Sequence, residues 1–227
     1  MKTLCTAAIA IALFGSWASA GTVNLISDTS GSTSNLGAFT GTASYDDVSV
    51  LTITLKNTTP AGGGYITGFL FNIDGNATAT LSPNPTGNFQ DLVTSGNLSG
   101  NPFGDFDAGA ALGGNFLGGG SPNSGIAVDA ERTFTFNITG DDASSLRIGH
   151  FFTELSDGSD NHDAGLLVRF RGIQLGEGSD KVPGFPTRPP GGETPIPLPA
   201  AAWSGMMVFG LMGGKKFVAR FRTRRSA

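Results

Sequence analysis

Three observations on residues 21–175 predict an all-β fold, an antiparallel β-sandwich of jelly-roll-like kind with a barrel as its near neighbour. Apolar and polar residues alternate over several short runs, clusters of turn formers separate those runs, and no apolar stripe of helical period and length occurs before residue 195. Alternation places every second side chain on one face of a sheet, so a buried face and a wet face follow from the pattern itself. A domain of about 150 residues buries roughly two thirds of the surface its unfolded chain exposes, enough for one core without cross-links.

Taken in order, Thr22 to Ile26 and Ala38 to Tyr45 are the first two expected strands. From Ser49 onward the run Val48 to Leu55 puts Leu51, Ile53 and Leu55 on one face and Thr52 and Thr54 on the other. The turn formers Asn57 to Gly64 end it, and Tyr65 to Ile73 follows up to Asp74-Gly75-Asn76. Arg132 to Thr139 directs Phe134, Phe136 and Ile138 inward. After Gly140-Asp141-Asp142 come expected strands over Leu146 to Leu155 and, past Asp157-Gly158, Leu166 to Leu175.

Two segments interrupt this rhythm. Gly100 to Gly125 holds nine glycines with Pro102 and Pro122, which predicts a long loop whose Phe103, Phe106, Phe116 and Leu117 pin it to the domain. Gly176 to Pro199 holds seven of the 12 prolines, so residues 176–194 are expected to form an extended linker after a domain over 21–175.

The two ends carry address signals. Met1-Lys2 is positive, Leu4 to Phe14 is apolar on all sides, and Ala18-Ser19-Ala20 is an A-x-A site, so residues 1–20 are expected to be a signal peptide that signal peptidase removes before Gly21. The single cysteine, Cys5, would leave with it. The mature chain then has no disulfide, no thiol nucleophile and no thiolate metal site. At the other end Pro195 to Ala200 is proline-rich, no charge occurs up to Gly214, and a basic cluster follows: Lys215, Lys216, Arg220, Arg222, Arg224 and Arg225. An apolar segment closed by cations that resist translocation predicts a single transmembrane helix over about 199–219, with the basic end cytoplasmic and the domain outside. Pro199 suits a first helical position. The sixteen residues Pro199 to Gly214 span about 24 Å at ~1.5 Å each, short of the ~30 Å hydrocarbon core. Snorkelling Lys215 and Lys216 together with Phe217, Val218 and Ala219 make up the difference, giving a marginal anchor suited to later removal.

Charge agrees with export. Between Gly21 and Gly214, seven Lys and Arg face all 18 Asp and Glu, a net of −11. Such a surface does not track phosphate backbones, which argues against a nucleic-acid partner.

The tail resembles the PEP-CTERM class of protein-sorting signals. Ile196-Pro197-Leu198-Pro199-Ala200 is similar to the VPLPA variant, with Ile196 in place of Val, and departs from the founding Pro-Glu-Pro signature by Leu198. The resemblance covers residues 195–225, and similar tails have also been catalogued as an ice-binding protein C-terminal domain, a label that describes the tail alone. It implies processing by an exosortase-type membrane transpeptidase, in bacteria that make extracellular polysaccharide or biofilm. Leu51 to Thr58, Gly68 to Ile73, Val168 to Ile173 and Gly178 to Pro183 resemble blocks of β-rich proteins that bear such tails. The reading that follows is an exported, noncatalytic protein of the cell surface or extracellular matrix, membrane-tethered before processing, with extracellular polysaccharide as a partner.

Three further constellations bear on chemistry. Asp157, Asp160 and Asp163, with Asn161, offer the oxygen ligands that Ca²⁺ prefers, although their spacing is not that of an EF-hand and also suits a solvated acidic turn. No other cofactor is indicated. A calcium-dependent or carbohydrate-binding β-sandwich module is the alternative function, with the Gly100 to Gly125 loop as the place for a glycan, because both tryptophans fall in the terminal segments. A secreted hydrolase is the lower alternative: His150 and His162 are the only histidines, and neither H-E-x-x-H nor G-x-S-x-G occurs. Arg169 and Arg171 share one strand face, where surface pairing with carboxylates is expected.

Overall fold

The structure, a computed structural model, describes residues 21–83, 87–92, 98–158, 163–174 and 178–187. The segments expected to be signal peptide, sorting motif, transmembrane helix and basic end all lie outside those residues. Among the described residues no helix is long and apolar enough to cross a membrane.

Among the described residues, twelve strands dominate, with three short 3-10 turns beside them: β1 (Gly21–Ser27), β2 (Phe39–Tyr45), β3 (Val50–Asn57), β4 (Tyr65–Phe71), β5 (Thr78–Leu81), β6 (Phe89–Asp91), β7 (Leu98–Ser99), β8 (Asp105–Phe106), β9 (Ala108–Leu112), β10 (Glu131–Thr139), β11 (Leu166–Arg171) and β12 (Ser179–Thr187). Every described pairing is antiparallel, as the alternation predicts. Ten strands join in one sheet in the order β5-β10-β3-β2-β1-β12-β11-β4-β9-β6, while β7 and β8 form a separate hairpin. The sandwich expectation therefore resolves into one rolled sheet that nearly closes as a barrel. The rings of Phe69 on β4 and Phe134 on β10 meet edge-on with centroids 4.8 Å apart, although five strands separate β4 from β10 around the sheet. Such contact across the interior requires the sheet to curl. Phe71 and Phe136 repeat it at 5.1 Å, and pairs of this geometry add about 0.5–1.5 kcal/mol beyond their burial.

Leu51, Ile53 and Leu55 on β3 and Phe134, Phe136 and Ile138 on β10 are buried in this interior, on the faces that their alternation assigns. A second cluster lies on the other side of β4, β9 and β11, where Leu70, Ala111 and Leu167 meet Phe103, Phe106 and Phe116. Three of the four residues expected to pin the glycine-rich segment thus do so, whereas Leu117 is exposed.

Three expectations need correction. Leu146 to Leu155 is no strand: 3-10 turns occupy Ala143–Ser145 and Ile148–His150, and Phe151 makes only an isolated bridge to Ile73. Phe151 and Phe152 are consecutive and both buried, which a strand with alternating faces cannot arrange; a positive φ of 67° at Phe152 turns the chain so that both rings enter the core. Second, the segment read as one long loop contains β9, whose five residues are all buried because sheet faces on both sides are covered. A side chain at Gly109 would sit 2.3 Å from the Phe69 carbonyl oxygen, so glycine here serves close strand packing.

Third, the sheet does not end at residue 175. Gly172 (φ 71°) closes β11, and Ser179–Thr187, inside the segment read as linker, returns as β12 between β1 and β11. Its Pro183 and Pro186 are what a linker and a strand edge share, and they hide a central strand from a reading of composition.

Candidate functional site

The structure treats the residues singled out by the sequence unequally. Of the cleavage-site residues, Gly21 is described and opens β1 opposite Tyr45, while Ala18, Ser19 and Ala20 lie outside the described residues. Ile196, Pro197, Leu198, Pro199 and Ala200 lie outside them as well, as do Lys215, Lys216, Arg220, Arg222, Arg224 and Arg225.

In the acidic loop, Asp157 and Asp163 are described and Asp160 is not. Asp163 Oδ1 accepts the Gly158 amide at 3.0 Å, a side-chain-to-backbone bond of the kind that shapes turns. The loop base is fastened by Ser156, whose buried Oγ donates to the Phe103 carbonyl and accepts the Ala164 amide at 3.1 Å. Among the described residues no group of three or more His, Cys, Asp or Glu is placed to hold a metal ion. Of the two histidines, His150 accepts the Arg147 amide on Nδ1 at 3.0 Å, so that nitrogen serves its own 3-10 turn; His162 lies outside the described residues. The nearby Glu154 carboxyl is pushed up by burial, then by the charges of Asp107 and Asp74.

Arg169 and Arg171 differ from expectation. Arg169 donates to the Phe116 carbonyl, and Arg171 Nη1 donates to the Gly119 carbonyl at 2.5 Å. Lys181, directly across from Arg169, donates to the Asn101 carbonyl. Burial first holds the Arg169 and Lys181 cations below their usual ranges, followed by the charge of Arg171 in the case of Arg169 and of Arg169 in the case of Lys181. Three cations on the outer side of β11 and β12 thus hold the glycine-rich segment by its carbonyls. The signal was in the sequence only as Arg169 and Arg171 two residues apart; the acceptors are backbone atoms, which residue types do not reveal.

An ordered polar surface lies on the outer side of β1, β2, β3 and β10. Register sets its rows. Asn24, Thr42, Thr54 and Thr133 are successive cross-strand neighbours, and so are Thr22, Ser44, Thr52 and Thr135. Neighbouring strands stand about 4.8 Å apart and alternate residues about 6.7 Å apart along each strand, so the hydroxyls form a two-dimensional array. Thr54 and Thr133 bond to each other through their hydroxyls at 2.9 Å. A third row runs from Phe185 through Ile26, Thr40 and Lys56 to Glu131. Ile26 and Phe185 are 43 % and 40 % exposed, two of the few large apolar side chains left in solvent. Asn24, Ile26, Thr40, Thr42, Thr54 and Lys56 edge a shallow open groove of about 530 Å³ on this face.

Among the residues pointing outward from these four strands only Lys56 and Glu131 are charged, and they stand opposite one another. The sequence reading identified Thr52 and Thr54 as an outward face but missed the array, because cross-strand register decides which threonines become neighbours. No family model matches the chain, and neither the curated proteins nor the solved structures compared with it include a match.

Proposed function

We propose that this chain is an exported, noncatalytic β protein of the cell surface or extracellular matrix. In this reading residues 1–20 direct export and signal peptidase cuts between Ala20 and Gly21. The helix over about 199–219 then holds the chain in the membrane with its domain outside, until an exosortase-type enzyme acts at Ile196–Ala200. The observation that supports it is that the first and last described strands pair with each other. Every described strand falls between Gly21 and Thr187, and the first and last strands are neighbours, with Asn24 opposite Thr187. Every described pairing is made between residues 21 and 187, so the described strands need neither address segment as a partner. Seven residues, 188–194, separate Thr187 from the proline-rich motif; fully extended they reach at most about 25 Å.

Intact-mass and terminal-peptide mass spectrometry on protein from the native host tests this. A chain that starts at Gly21 and ends between Pro197 and Ala200, with any added mass at the new terminus, is the expected result. A chain still ending at Ala227 removes the sorting step.

A further inference from the structure

We infer that the outer face of β1, β2, β3 and β10 is a binding surface for a neutral polysaccharide chain, seated across the hydroxyl rows and the groove at Thr42 and Thr54. The inference stands apart from the export reading, since it uses only the rolled sheet.

The chemistry of the face selects the ligand. A threonine hydroxyl supplies one donor and two acceptor positions, as a sugar hydroxyl does, so a lattice of them matches a ligand that both donates and accepts along its length. Thr42, Thr54, Thr133, Ser44, Thr52 and Thr135 provide such a lattice over three adjacent strands. Pairing among themselves uses part of this capacity, as between Thr54 and Thr133, and leaves the rest facing outward. Threonine is also a favoured residue on any exposed strand, so the lattice alone would not identify a site. Two independent features do. The domain carries a net charge of −11 from Gly21 to Gly214, yet this face holds one cation and one anion opposite each other and is neutral. A polyanion finds no cationic track here, and a cation finds no carboxylate cluster. Second, exposed Ile26 lines the groove, and its cross-strand neighbour Phe185 is exposed next to it. That pair offers an apolar platform to the C–H face of a sugar ring beside the hydroxyls that would fix the ring's orientation. A protein partner is a poorer fit, because its anchors need deep desolvated pockets, whereas this groove is shallow and open.

The glycine-rich segment, the position the sequence suggested for a glycan, is a weaker choice. Its Phe103, Phe106 and Phe116 are buried in the second cluster and present no ring to a sugar.

The test uses the full chain in a sugar-free zwitterionic detergent, applied to an array of oligosaccharides that includes neutral β-linked and α-linked glucose hexamers and their uronic acid counterparts. Retention on at least one neutral hexamer and not on the uronic acids is expected. The variants Thr42→Glu and Thr54→Glu should each weaken it at least tenfold while leaving the melting temperature near that of the parent, and Ser145→Glu, on an exposed turn, should leave it unchanged. Phe185→Ala should weaken it as well. The inference is overturned if no neutral hexamer is retained, if the uronic acids bind better, or if stably folded Thr42 and Thr54 variants bind as the parent does.

Discussion

The backbone amide of Leu81 donates to Asp91 Oδ2 at 3.0 Å. Leu81 belongs to β5 and Asp91 to β6, the two edges of the ten-stranded sheet, so one carboxylate bridges the seam where the barrel fails to close by backbone pairing. Replacing Asp91 with Ala leaves that amide without its acceptor. A hydrogen bond to a charged group contributes about 1.5–3 kcal/mol, and a loss of this order in urea unfolding is expected for Asp91→Ala. Faster hydrogen exchange should appear at Leu81 before the rest of the sheet. Asp91→Asn, which keeps an oxygen, should recover most of the difference.

Asp180 is the most heavily used buried carboxylate among the described residues. It is 1 % exposed and accepts from Thr33 Oγ1 at 2.9 Å, Ser34 N at 2.8 Å, Leu36 N at 2.8 Å and Gly37 N at 2.9 Å. It ties the segment between β1 and β2 to β12. Asp180→Ala strands three backbone donors at once, each costing about 1–3 kcal/mol where it stays dry, so destabilisation on the order of 3 kcal/mol or more is expected. Loss of amide protection at Ser34, Leu36 and Gly37 would identify the cause.

The position of β12 separates two domain boundaries. A chain running from Gly21 to Gln174 lacks the strand that joins β1 to β11, and should show neither cooperative melting nor dispersed amide resonances. A chain from Gly21 to Thr187 should show both. If the shorter chain folded as well as the longer, β12 would be dispensable to the sheet.

Acid should act through Asp46. Burial alone would push its carboxyl up, but the amides of Val50, Ser49 and Val48, held at 2.8, 2.8 and 2.9 Å, keep it below the usual carboxylate range. A depressed carboxylate contributes stability above its unfolded value, about 3.9, and loses it as pH falls through the lower folded value. Asp46→Asn should therefore be less stable than the parent at neutral pH, with the difference shrinking below about pH 4. Glu154 has the opposite sign. Its carboxyl is raised but exposed to solvent, so Glu154→Gln should melt only slightly higher than the parent at neutral pH and equal to it below about pH 4. Melting curves across pH 2.5–7 for the three proteins check both signs.

How much was legible varied with the kind of information each feature needs. β3 and β10 were readable because one face is core and the other solvent, so Leu51, Ile53 and Leu55 alternate with Thr52 and Thr54. β9 was not, because Ala108 to Leu112 is covered on both sides and loses the alternation. β12 was hidden by its prolines, and Leu146 to Leu155 misled because Phe151 and Phe152 supply strand-like composition at a turn.

Residue order alone fixes the class of the fold, the inward faces of its clearest strands, the charge of the domain and the succession of apolar and charged segments at both ends. Those properties are local, or sums over residue types, and need no partner to be defined. That the strands form one rolled sheet, that Arg169, Arg171 and Lys181 hold loop carbonyls, and that Thr42, Thr54 and Thr133 stand side by side emerges from the folded chain alone. Each of these depends on register and on backbone acceptors far away in the chain. A shift of one residue in the pairing would turn the same threonines inward.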